Sequence, residues 1–559
     1  MPPVEVSAAV AKQQMSPFAT SVYEQKYAWK NEDGEVVEGW TDTAWRVTAN
    51  VLGSLGYLPT DEEFQKVFRL IAERKFMPGG RYLYASGRDL HQVQNCLLLK
   101  AEDSREGWAD LLAKAAMALQ TGAGIGVDYS DVRPSGRPIK RTGGVASGPL
   151  PLMRMINEIG RGVMQGGARR SAIWAGLNWQ HDDCEAFIVM KDWPEAIRKL
   201  KEEDFNFPAE MEFTNISVLL DDEFFAAYDD PDHELHERAH HIYNLTVEYM
   251  VRSAEPGLSV DIGPNAGETL RNACTEITSS DDSDICNLGS VNLSRIESKE
   301  EMEEAVRYGT LFLLAGTVYS DLPYGKVNIV REKNRRLGLG VMGVHEWLLK
   351  RGYSYQPTDE LGEWMEIYAT STDIAAEYAD KHNLSRPIKT RAIAPTGTIG
   401  IVAETTTGIE PIFCVAFKRR YKEARADGKD IIRYQYVVDP TAKRLIDSGV
   451  DPDSIEDAYM LSYNVERRVA FQAWMQQYVD HAISSTINLP YAITEFAEIK
   501  DFADMLYEYL PKLRGITCYP DGARGGQPLT AVPYEVAAGQ VGVVFEEDES
   551  KCKNGVCGI

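Results

Sequence analysis

The sequence predicts an α/β protein built from parallel β/α units. Between residues 76 and 525, short apolar or β-branched runs alternate with longer amphipathic helical patterns. The runs most typical of buried strands are 125–128, 173–177, 216–220, 393–394 and 486–489. Strands separated by helical crossovers favour a parallel sheet, and 44% hydrophobic residues in a chain of 559 suffice for a large core.

Three segments follow from the same pattern. Residues 1–75 are polar and mixed, contain two helical patterns, and predict an N-terminal helical region. Residues 76–525 hold the alternating pattern and predict the catalytic domain. Residues 526–559 contain prolines, glycines and an acidic run at 546–549, which predict a flexible C-terminal tail.

Composition indicates a cytoplasmic enzyme. A formal net charge of −25 argues against a polynucleotide partner, because neutralising phosphates needs a basic surface. No apolar run reaches the roughly 18 residues of a membrane span, and residues 1–6 lack the start of a secretory signal. Eight cysteines in so long a chain suit a reducing compartment, where single thiols do chemistry.

The segment 271–277, Arg-Asn-Ala-Cys-Thr-Glu-Ile, is the strongest candidate for a reactive site. In an extended strand, alternate residues point to one face, so Asn272, Cys274 and Glu276 would converge as an amide, a thiol and a carboxyl. Cys286 follows twelve residues later in a turn-rich run. Two buried structural cysteines are the alternative interpretation, because buried thiols often behave as small hydrophobes.

A glycine-rich run at 122–126 offers a competing motif. Its sequence, Gly-Ala-Gly-Ile-Gly, resembles a dinucleotide-binding loop, but the third glycine comes one residue too early for G-x-G-x-x-G. No acidic partner follows at the required spacing. We therefore predict that these glycines allow a tight turn or close backbone packing.

A second competing motif is the H-E-x-x-H sequence at 236–240. On a helix His236 and His240 would share a face, with Glu237 between them, as a zinc hydrolase requires. The neighbourhood is heavily charged and offers no third ligand. We therefore predict a solvated helix face and no metal ligands, and keep a zinc hydrolase as a remote alternative.

A candidate anion site lies at 394–400, Ala-Pro-Thr-Gly-Thr-Ile-Gly, directly after a short apolar strand. Hydroxyls and backbone N–H groups after a strand can bind phosphate, although Pro-Thr-Gly is also ordinary turn chemistry. The candidate phosphate-binding residues are Pro395, Thr396, Gly397 and Thr398, with Ser86 and Gly87 as further contributors.

Asn272-x-Cys274-x-Glu276 resembles the thiyl-radical loop of ribonucleotide reductases. Six further segments resemble that family in the same order along the chain. They are Gln94-Asn95-Cys96, the run 165–172, the run 337–343, the run 395–399, the run 408–411, and Cys552-x4-Cys557. One such motif is weak evidence, but seven in order are specific.

This resemblance implies a fold. Members of the family have a ten-stranded α/β barrel made of two five-stranded parallel halves, with a central finger loop that carries the cysteine. Cys274 would lie on that finger. The family's regulatory nucleotide-binding cone usually precedes the barrel, and residues 1–75 are too few to hold it.

The resemblance also implies catalytic roles. A thiyl radical on Cys274 would remove the 3′ hydrogen of a ribonucleotide, Glu276 would accept the 3′-hydroxyl proton, and Asn272 would orient the substrate hydroxyls. Cys96 and Cys286 would supply a proton and reducing equivalents and end as a disulfide. Substrate phosphates would bind at 395–398.

Cys552 and Cys557 are the predicted redox shuttle. By thiol–disulfide exchange they would reduce the internal disulfide and pass oxidation to a thioredoxin- or glutaredoxin-like protein. A zinc site is the alternative for a C-x4-C pair, but residues 526–559 contain no histidine and no further cysteine. The resemblance implies a monomer or a homodimer.

The radical source is predicted from residues 517–526. Family members that use a ferritin-like metal subunit carry consecutive tyrosines here, whereas this chain has one tyrosine, Tyr519, followed by Pro520. The chain therefore looks most like the adenosylcobalamin-dependent class, with the cofactor beside the cysteine loop. The Cys274–Cys286 and Cys552–Cys557 spacings favour ribonucleoside triphosphates over diphosphates. A reductase with a separate metal subunit and a catalytically silent nucleotide-binding relative remain alternatives.

Overall fold

The computed structural model describes residues 14–140, 143–165, 169–203, 207–424, 430–521 and 529–545. Within these ranges, no helix combines the length and apolar character needed to cross a lipid bilayer.

The helices lie mostly between successive strands. They are α1 (Pro17–Lys26), α2 (Trp40–Gly53), α3 (Glu62–Ala72), α4 (Gly80–Ala85), α5 (Arg105–Thr121), α6 (Leu150–Gly162), α7 (Cys184–Val189), α8 (Glu195–Glu203), α9 (Asp222–Asp229), α10 (His236–Ser253), α11 (Lys299–Tyr319), α12 (Gly325–Asn334), α13 (Val344–Lys350), α14 (Asp359–Ala369), α15 (Ser371–Lys381), α16 (Gly397–Ala403), α17 (Pro440–Asp447), α18 (Ala458–Leu461), α19 (Val465–Gln476), α20 (Phe496–Tyr509) and α21 (Tyr534–Ala538).

The strands are short. They are β1 (Phe76–Pro78), β2 (Cys96–Lys100), β3 (Gly124–Asp128), β4 (Met164–Gln165), β5 (Arg169–Arg170), β6 (Ile173–Asn178), β7 (Thr214–Asp221), β8 (Gly257–Asp261), β9 (Leu270–Arg271), β10 (Thr278–Ser279), β11 (Asp284–Asn292), β12 (Leu337–Met342), β13 (Ala416–Ala424), β14 (Asp430–Val438), β15 (Thr486–Leu489), β16 (Gly515–Pro520), β17 (Leu529–Ala531) and β18 (Val544–Phe545).

The main sheet confirms the predicted α/β class. Its ten strands in the described residues run in the order β1-β11-β2-β3-β6-β7-β8-β16-β15, and β12 pairs with β11. β2, β3, β6, β7 and β8 are neighbours and parallel, with helices in the connections. Buried aliphatic side chains from these strands pack against the helices, as expected for a parallel sheet covered by helices.

The sheet changes direction at two seams. β2 pairs antiparallel with β11, and β8 pairs antiparallel with β16. Beyond these seams β11 and β12 are parallel, as are β15 and β16. Isolated parallel bridges join Leu339 to Arg391 and Ile393 to Ile483, between β12 and β15. β1 is a further antiparallel strand, so the sheet order does not by itself give two five-stranded halves, and barrel closure stays a prediction.

A two-stranded hairpin, β9–β10, carries the segment around Cys274 and packs against β3. A Cβ atom at Gly126 would lie 1.8 Å from the backbone oxygen of Arg271, so any larger residue would push the hairpin away. Gly122 ends α5 in the left-handed region, with φ +100°. The prediction that the glycine-rich run serves a turn and close packing is confirmed.

Residues 529–545 differ from the flexible tail expected for 526–559. β17 pairs with β13 and β18 pairs with β14, forming a four-stranded antiparallel sheet. Ala537 of α21 is buried in the small core of this sheet. The acidic run and both tail cysteines lie outside the described residues.

Candidate active site

The segment around Cys274 forms a tight turn at the tip of the β9–β10 hairpin. Thr275 N–H donates to Asn272 O (3.0 Å), Ile277 N–H donates to Asn272 Oδ1 (3.0 Å), and Thr275 has a positive φ of 68°. The extended strand assumed from the sequence is therefore wrong. An asparagine side chain readily hydrogen-bonds nearby backbone, which favours the turn over a strand at this position.

The turn nevertheless brings the predicted side chains together. One cavity is lined by Asn272, Cys274 and Glu276 from the turn and by Cys96 from the start of β2. Pro395, Thr396, Gly397 and Thr398 line the same cavity from the start of α16. Cys274 is partly exposed, whereas Asn272 and Glu276 are buried. Two thiols, a carboxyl and the loop 395–398 therefore share one space.

Cys286 lies directly across from Cys96. The two residues are register partners in the antiparallel pair of β2 and β11, and both thiols are reduced. Direct partners in such a pair have Cα atoms about 4.5–5.5 Å apart, within the range that a disulfide spans. Cys286 packs with Cys96 in a small apolar cluster and does not line the cavity itself. The pair can therefore form a disulfide without a large movement of the backbone.

Burial controls the carboxyl of Glu276. It raises the pKa of Glu276 to about 7, and hydrogen bonds to its own backbone and to Asn272 offset only part of this effect. Oε2 makes no hydrogen bond with the described residues. Glu276 therefore changes protonation near neutral pH, as a general base needs, and it keeps one oxygen available for a ligand.

Burial also acts on the two paired thiols. It raises the pKa of Cys96 well above the ordinary range, and the nearby Glu276 charge raises it further. Burial, followed by the charge of Asp284, raises the pKa of Cys286 in the same direction. Both thiols therefore stay protonated at neutral pH and can supply protons.

The loop before α16 is held in an unusual conformation. Thr396 has a positive φ of 47°, and its Oγ1 accepts a hydrogen bond from Gly408 N–H (2.8 Å). Gly408 belongs to the run 408–411 that the sequence singled out. A Cβ at Gly397 would meet no atom within 4 Å, so this part of the cavity is open. The loop is therefore tied to Gly408 through Thr396 and leaves open space beside Gly397.

Ser86 and Gly87 are not among the cavity-lining residues. Ser86 is fully buried and its backbone oxygen accepts from Arg46 Nη1 (2.7 Å). Gly87 N–H donates to the Tyr319 hydroxyl (2.8 Å). Their predicted phosphate contact has no support from the cavity, and Gly79 and Gly80 line that wall instead.

Tyr27 is a lining residue that the sequence did not indicate. A Cβ at Gly80 would lie 3.0 Å from its hydroxyl, so the glycine lets the ring approach. The Gly79-Gly80 pair was a usable signal of close packing, whereas Tyr27 lies in a mixed polar region with no motif around it.

The H-E-x-x-H helix gives no metal site. His236 and His240 share a face of α10, but His236 Nδ1 lies 2.9 Å from Ala227 O and His240 Nε2 lies 3.0 Å from Tyr228 O. His240 also stacks on the Tyr228 ring. In the part of the chain that the structure describes, no three His, Cys, Asp or Glu side chains are placed to hold a metal ion. The zinc hydrolase alternative therefore has no structural support.

An α/β domain that places Cys274, Cys96 and a buried carboxyl in one cavity, with Cys286 as the register partner of Cys96, has groups suited to redox chemistry. Family models agree: the ribonucleotide reductase barrel domain matches residues 94–255, 238–382 and 381–519, and the ribonucleotide reductase all-alpha domain matches residues 13–91. The chain belongs to the ribonucleotide reductase family.

Three relatives illustrate the similarity. A vitamin B12-dependent ribonucleoside-diphosphate reductase of Thermoplasma acidophilum is 26% identical over 582 residues, covering 92% of this chain and 72% of that protein. One from Mycobacterium tuberculosis H37Rv is 27% identical over 598 residues, covering 94% and 80%. A protein of Mycobacterium phage D29, named provisionally as an adenosylcobalamin-dependent ribonucleoside-triphosphate reductase, is 30% identical over 545 residues, covering 82% and 75%.

Proposed function

We propose that this chain reduces ribonucleoside triphosphates to 2′-deoxyribonucleotides by thiyl-radical chemistry, with adenosylcobalamin as the radical generator. The observation that carries the proposal is the single cavity in which Cys274, Glu276, Asn272 and Cys96 meet the loop 395–398. Removal of the ribose 2′-hydroxyl needs a hydrogen-abstracting group, a base and two reducing thiols. These cavity residues supply all but the second thiol, for which we assign Cys286, the register partner of Cys96.

Each side chain has a step that fits its environment. A thiyl radical on Cys274 takes the hydrogen atom from C3′, and Glu276 accepts the 3′-hydroxyl proton with a pKa of about 7. Cys96, protonated because burial raises its pKa, protonates the departing 2′-hydroxyl, which leaves as water. Asn272 orients the substrate hydroxyls.

The electrons come from the thiol pair. Cys96 and Cys286 together lose two electrons and two protons and become a disulfide, while the substrate exchanges C2′–OH for C2′–H and releases water. Cys274 returns its hydrogen atom to C3′, so the radical is regenerated. Their position as register partners supports this pairing. Cys552 and Cys557 then reduce the disulfide and are reduced by a thioredoxin- or glutaredoxin-like protein.

The cavity fits a cofactor beside Cys274. The thiol is partly exposed, and its surroundings include Gly124, Ala172 and Gly397, none of which fills the space with a large side chain. These lining residues would hold the reactive side of adenosylcobalamin, which supplies the radical when bound. The names of the relatives support this cofactor. A lone Tyr519 followed by Pro520 argues against a paired-tyrosine relay.

The fold proposal is a closed ten-stranded barrel of two five-stranded parallel halves spanning 76–525. The five parallel strands β2, β3, β6, β7 and β8 support one half. The isolated bridges at Arg391 and Ile483 support a strand between β12 and β15 that would complete the other.

Ribonucleotide reduction with and without adenosylcobalamin tests the proposal. The purified chain, a ribonucleoside triphosphate, dithiothreitol and the cofactor should form deoxynucleotide, and Cys274→Ser should abolish it, because a serine O–H bond is too strong to form the required radical. Cys184→Ala, buried in α7 outside the cavity, is the control that keeps activity.

Two outcomes would change the proposal. Activity that appears only after addition of a ferritin-like metal subunit would mean that this subunit, and not adenosylcobalamin, generates the radical. Faster reduction of a diphosphate than of the triphosphate would mean that the substrate is a ribonucleoside diphosphate. The Thermoplasma and Mycobacterium tuberculosis relatives are named as diphosphate reductases.

A further inference from the structure

The four-stranded antiparallel sheet β17-β13-β14-β18 differs in charge from the chain as a whole. Its two long strands, β13 and β14, hold more basic than acidic residues, whereas the whole chain has a formal net charge of −25. The basic residues are Lys418, Arg419, Arg420, Lys422 and Arg433, and the acidic ones are Glu423 and Asp430. We call these four strands the basic sheet. Its charge suits an acidic segment.

An acidic segment of this chain follows the basic sheet directly. Residues 546–549 are Glu-Glu-Asp-Glu, and they come immediately after Phe545, which ends β18. They lie outside the described residues, as do Cys552 and Cys557 further along. A tethered segment meets a nearby surface at a high effective concentration, so weak contacts can hold it. The run 546–549 is therefore favoured over a separate acidic protein as the occupant of this surface.

The end of β18 fixes the direction in which the chain leaves the basic sheet. Phe545 is the register partner of Tyr434, and its ring lies 5.8 Å from the Tyr434 ring and 5.2 Å from the Tyr436 ring. β14 extends beyond this contact through residues 430–433. Because β14 and β18 are antiparallel, a chain that continued β18 would run along β14 from 433 towards 430. The same register places residue 546 opposite Arg433.

The face on which residue 546 would lie is open and basic. Alternate residues of a strand share a face, so 546 would share that of Val544, which is 45% exposed. Arg433 is on this face and is partly exposed. Directly opposed residues of an antiparallel pair stabilise it when their charges are opposite and destabilise it when they are alike. Glu546 would therefore meet Arg433 favourably, whereas Glu549 would meet Asp430 unfavourably.

We propose that residues 546–548 dock within the same chain as a continuation of β18 along β14, with Glu546 paired to Arg433. The like charges of Glu549 and Asp430 end the docked stretch. Charge pairs on an exposed sheet are weak and are screened by salt, so the docking is reversible. The docking itself does not depend on the proposed reaction.

Docking would regulate the reach of the redox tail. When 546–548 are docked, Cys552 stays within about 14 Å of residue 548, because an extended chain spans at most about 3.6 Å per residue. When they are released, Cys552 can lie up to about 25 Å from Phe545. Release therefore enlarges the volume that the thiols can search. This consequence, unlike the docking, rests on the proposed function of Cys552 and Cys557.

Hydrogen–deuterium exchange of the full chain, measured by mass spectrometry, tests the docking. At low salt the amides of 546–548 should exchange more slowly than in an unstructured peptide of the same sequence, and high salt should remove this protection. Arg433→Gln should speed their exchange roughly twofold to fivefold. The charge-swapped variant Arg433→Glu/Glu546→Arg should restore the protection.

Arg419→Gln is the matched control. It removes the same charge from the same face of the basic sheet, but Arg419 is on β13, opposite Gln435, and lies over the Phe18 ring at 5.3 Å. Exchange of 546–548 should therefore be unchanged in this variant. Equal effects of Arg433→Gln and Arg419→Gln would overturn the register and with it the proposal.

The remaining outcomes are also decisive. Exchange of 546–548 at the unstructured rate in the unmodified chain rejects the docking, and protection that falls on dilution shows docking on a second copy instead of the same chain. If exchange within β13 and β14 shows that Arg433→Gln has disturbed the sheet, the charge-swapped variant decides, and a failure to restore protection rejects the proposal. Protection without deoxynucleotide formation would reject the proposed function and leave the docking supported.

Discussion

At the scale of single residues, the site depends on burial more than on charge pairs. Glu276 titrates near neutrality because it is removed from water, and Cys96 and Cys286 hold their protons for the same reason. The residue types and their order could be read from the sequence. Their protonation could not, because it depends on how completely β2, β11 and the hairpin exclude solvent.

Glu276→Gln should make the protein more stable while destroying activity. A raised pKa means that the folded state holds a proton which the unfolded state releases, so stability is full below about pH 4.5 and is lost as pH rises through 7. With a pKa of about 7 in the folded state, the loss reaches about 3 kcal/mol above pH 7. The glutamine variant has no such loss.

Urea unfolding at pH 4.5 and pH 8 measures the effect. The stability difference between Glu276→Gln and the unmodified chain should grow by about 3 kcal/mol between these pH values. A difference independent of pH would mean that Glu276 is not buried as described. In the unmodified enzyme, kcat/KM should rise with pH through about 7 as the base ionises.

His481 should act as a positioning residue for Glu276. Its Nδ1 accepts from Thr278 N–H (3.1 Å), and the next residue, Ala482, donates from its N–H to Glu276 O (2.8 Å). His481→Leu removes this acceptor and leaves the buried Thr278 N–H without a hydrogen-bond partner, which lowers the free energy of unfolding by about 1–3 kcal/mol. His481→Asn keeps an acceptor at nearly the same place.

We expect kcat to fall about tenfold in His481→Leu and to change little in His481→Asn, because a displaced turn misplaces Glu276, and about 1.4 kcal/mol of lost transition-state stabilisation is tenfold in rate. The pH midpoint of kcat/KM should also move down in the leucine variant, since a loosened turn lets water reach Glu276. Equal behaviour of the two variants would show that the acceptor does not matter.

At the scale of elements, the conformation of the β9–β10 hairpin is the least predictable part of the site. The sequence indicated that the run 122–126 allows close packing. Gly126 does so, because the backbone oxygen of Arg271 occupies the space where a Cβ atom would lie. It did not indicate a tight turn at Cys274. Turn and strand both bring Asn272, Cys274 and Glu276 to one side, and only the hydrogen bonds of Asn272 distinguish them.

Gly126→Ala should displace the hairpin and abolish turnover. A Cβ at 1.8 Å from a backbone oxygen cannot be accommodated without moving β9, and such overpacking costs about 1–3 kcal/mol. Gly53→Ala is the control, because a Cβ there meets no atom within 4 Å. Activity and urea unfolding of both variants measure the effect; a fully active Gly126→Ala enzyme would contradict the packing described here.

At the scale of the whole molecule, the sequence predicted the α/β class and the strands β3, β6, β7 and β15, because buried runs and helical patterns alternate clearly there. It did not single out β2 or β8. It did not predict the four-stranded sheet that includes β17 and β18. β17 has three residues and β18 has two, and they pair with β13 and β14, which lie far away in the sequence. Strands this short show little alternation of apolar and polar residues from which they could be predicted.

The tail cysteines should be dispensable when a small thiol is present. Cys552→Ser/Cys557→Ser should complete about one turnover with a thioredoxin system and recover multiple turnovers with dithiothreitol, because a small thiol can reach the internal disulfide. Cys286→Ser should not recover. Product per enzyme in a quench assay measures both, and multiple turnovers of Cys286→Ser with dithiothreitol would reject the assignment of the internal pair.

The position of Cys96 and Cys286 has a mechanical consequence. Cys96 opens β2 and Cys286 lies on β11, so this register pair sits at a seam where the sheet reverses direction. A disulfide there would tie the two sides of the seam together across 190 residues of chain, and closing so long a loop restricts the unfolded chain strongly. Each catalytic cycle would therefore add and remove this cross-link, so that the enzyme resists unfolding most after it has spent its electrons and least when it is ready to accept the next substrate.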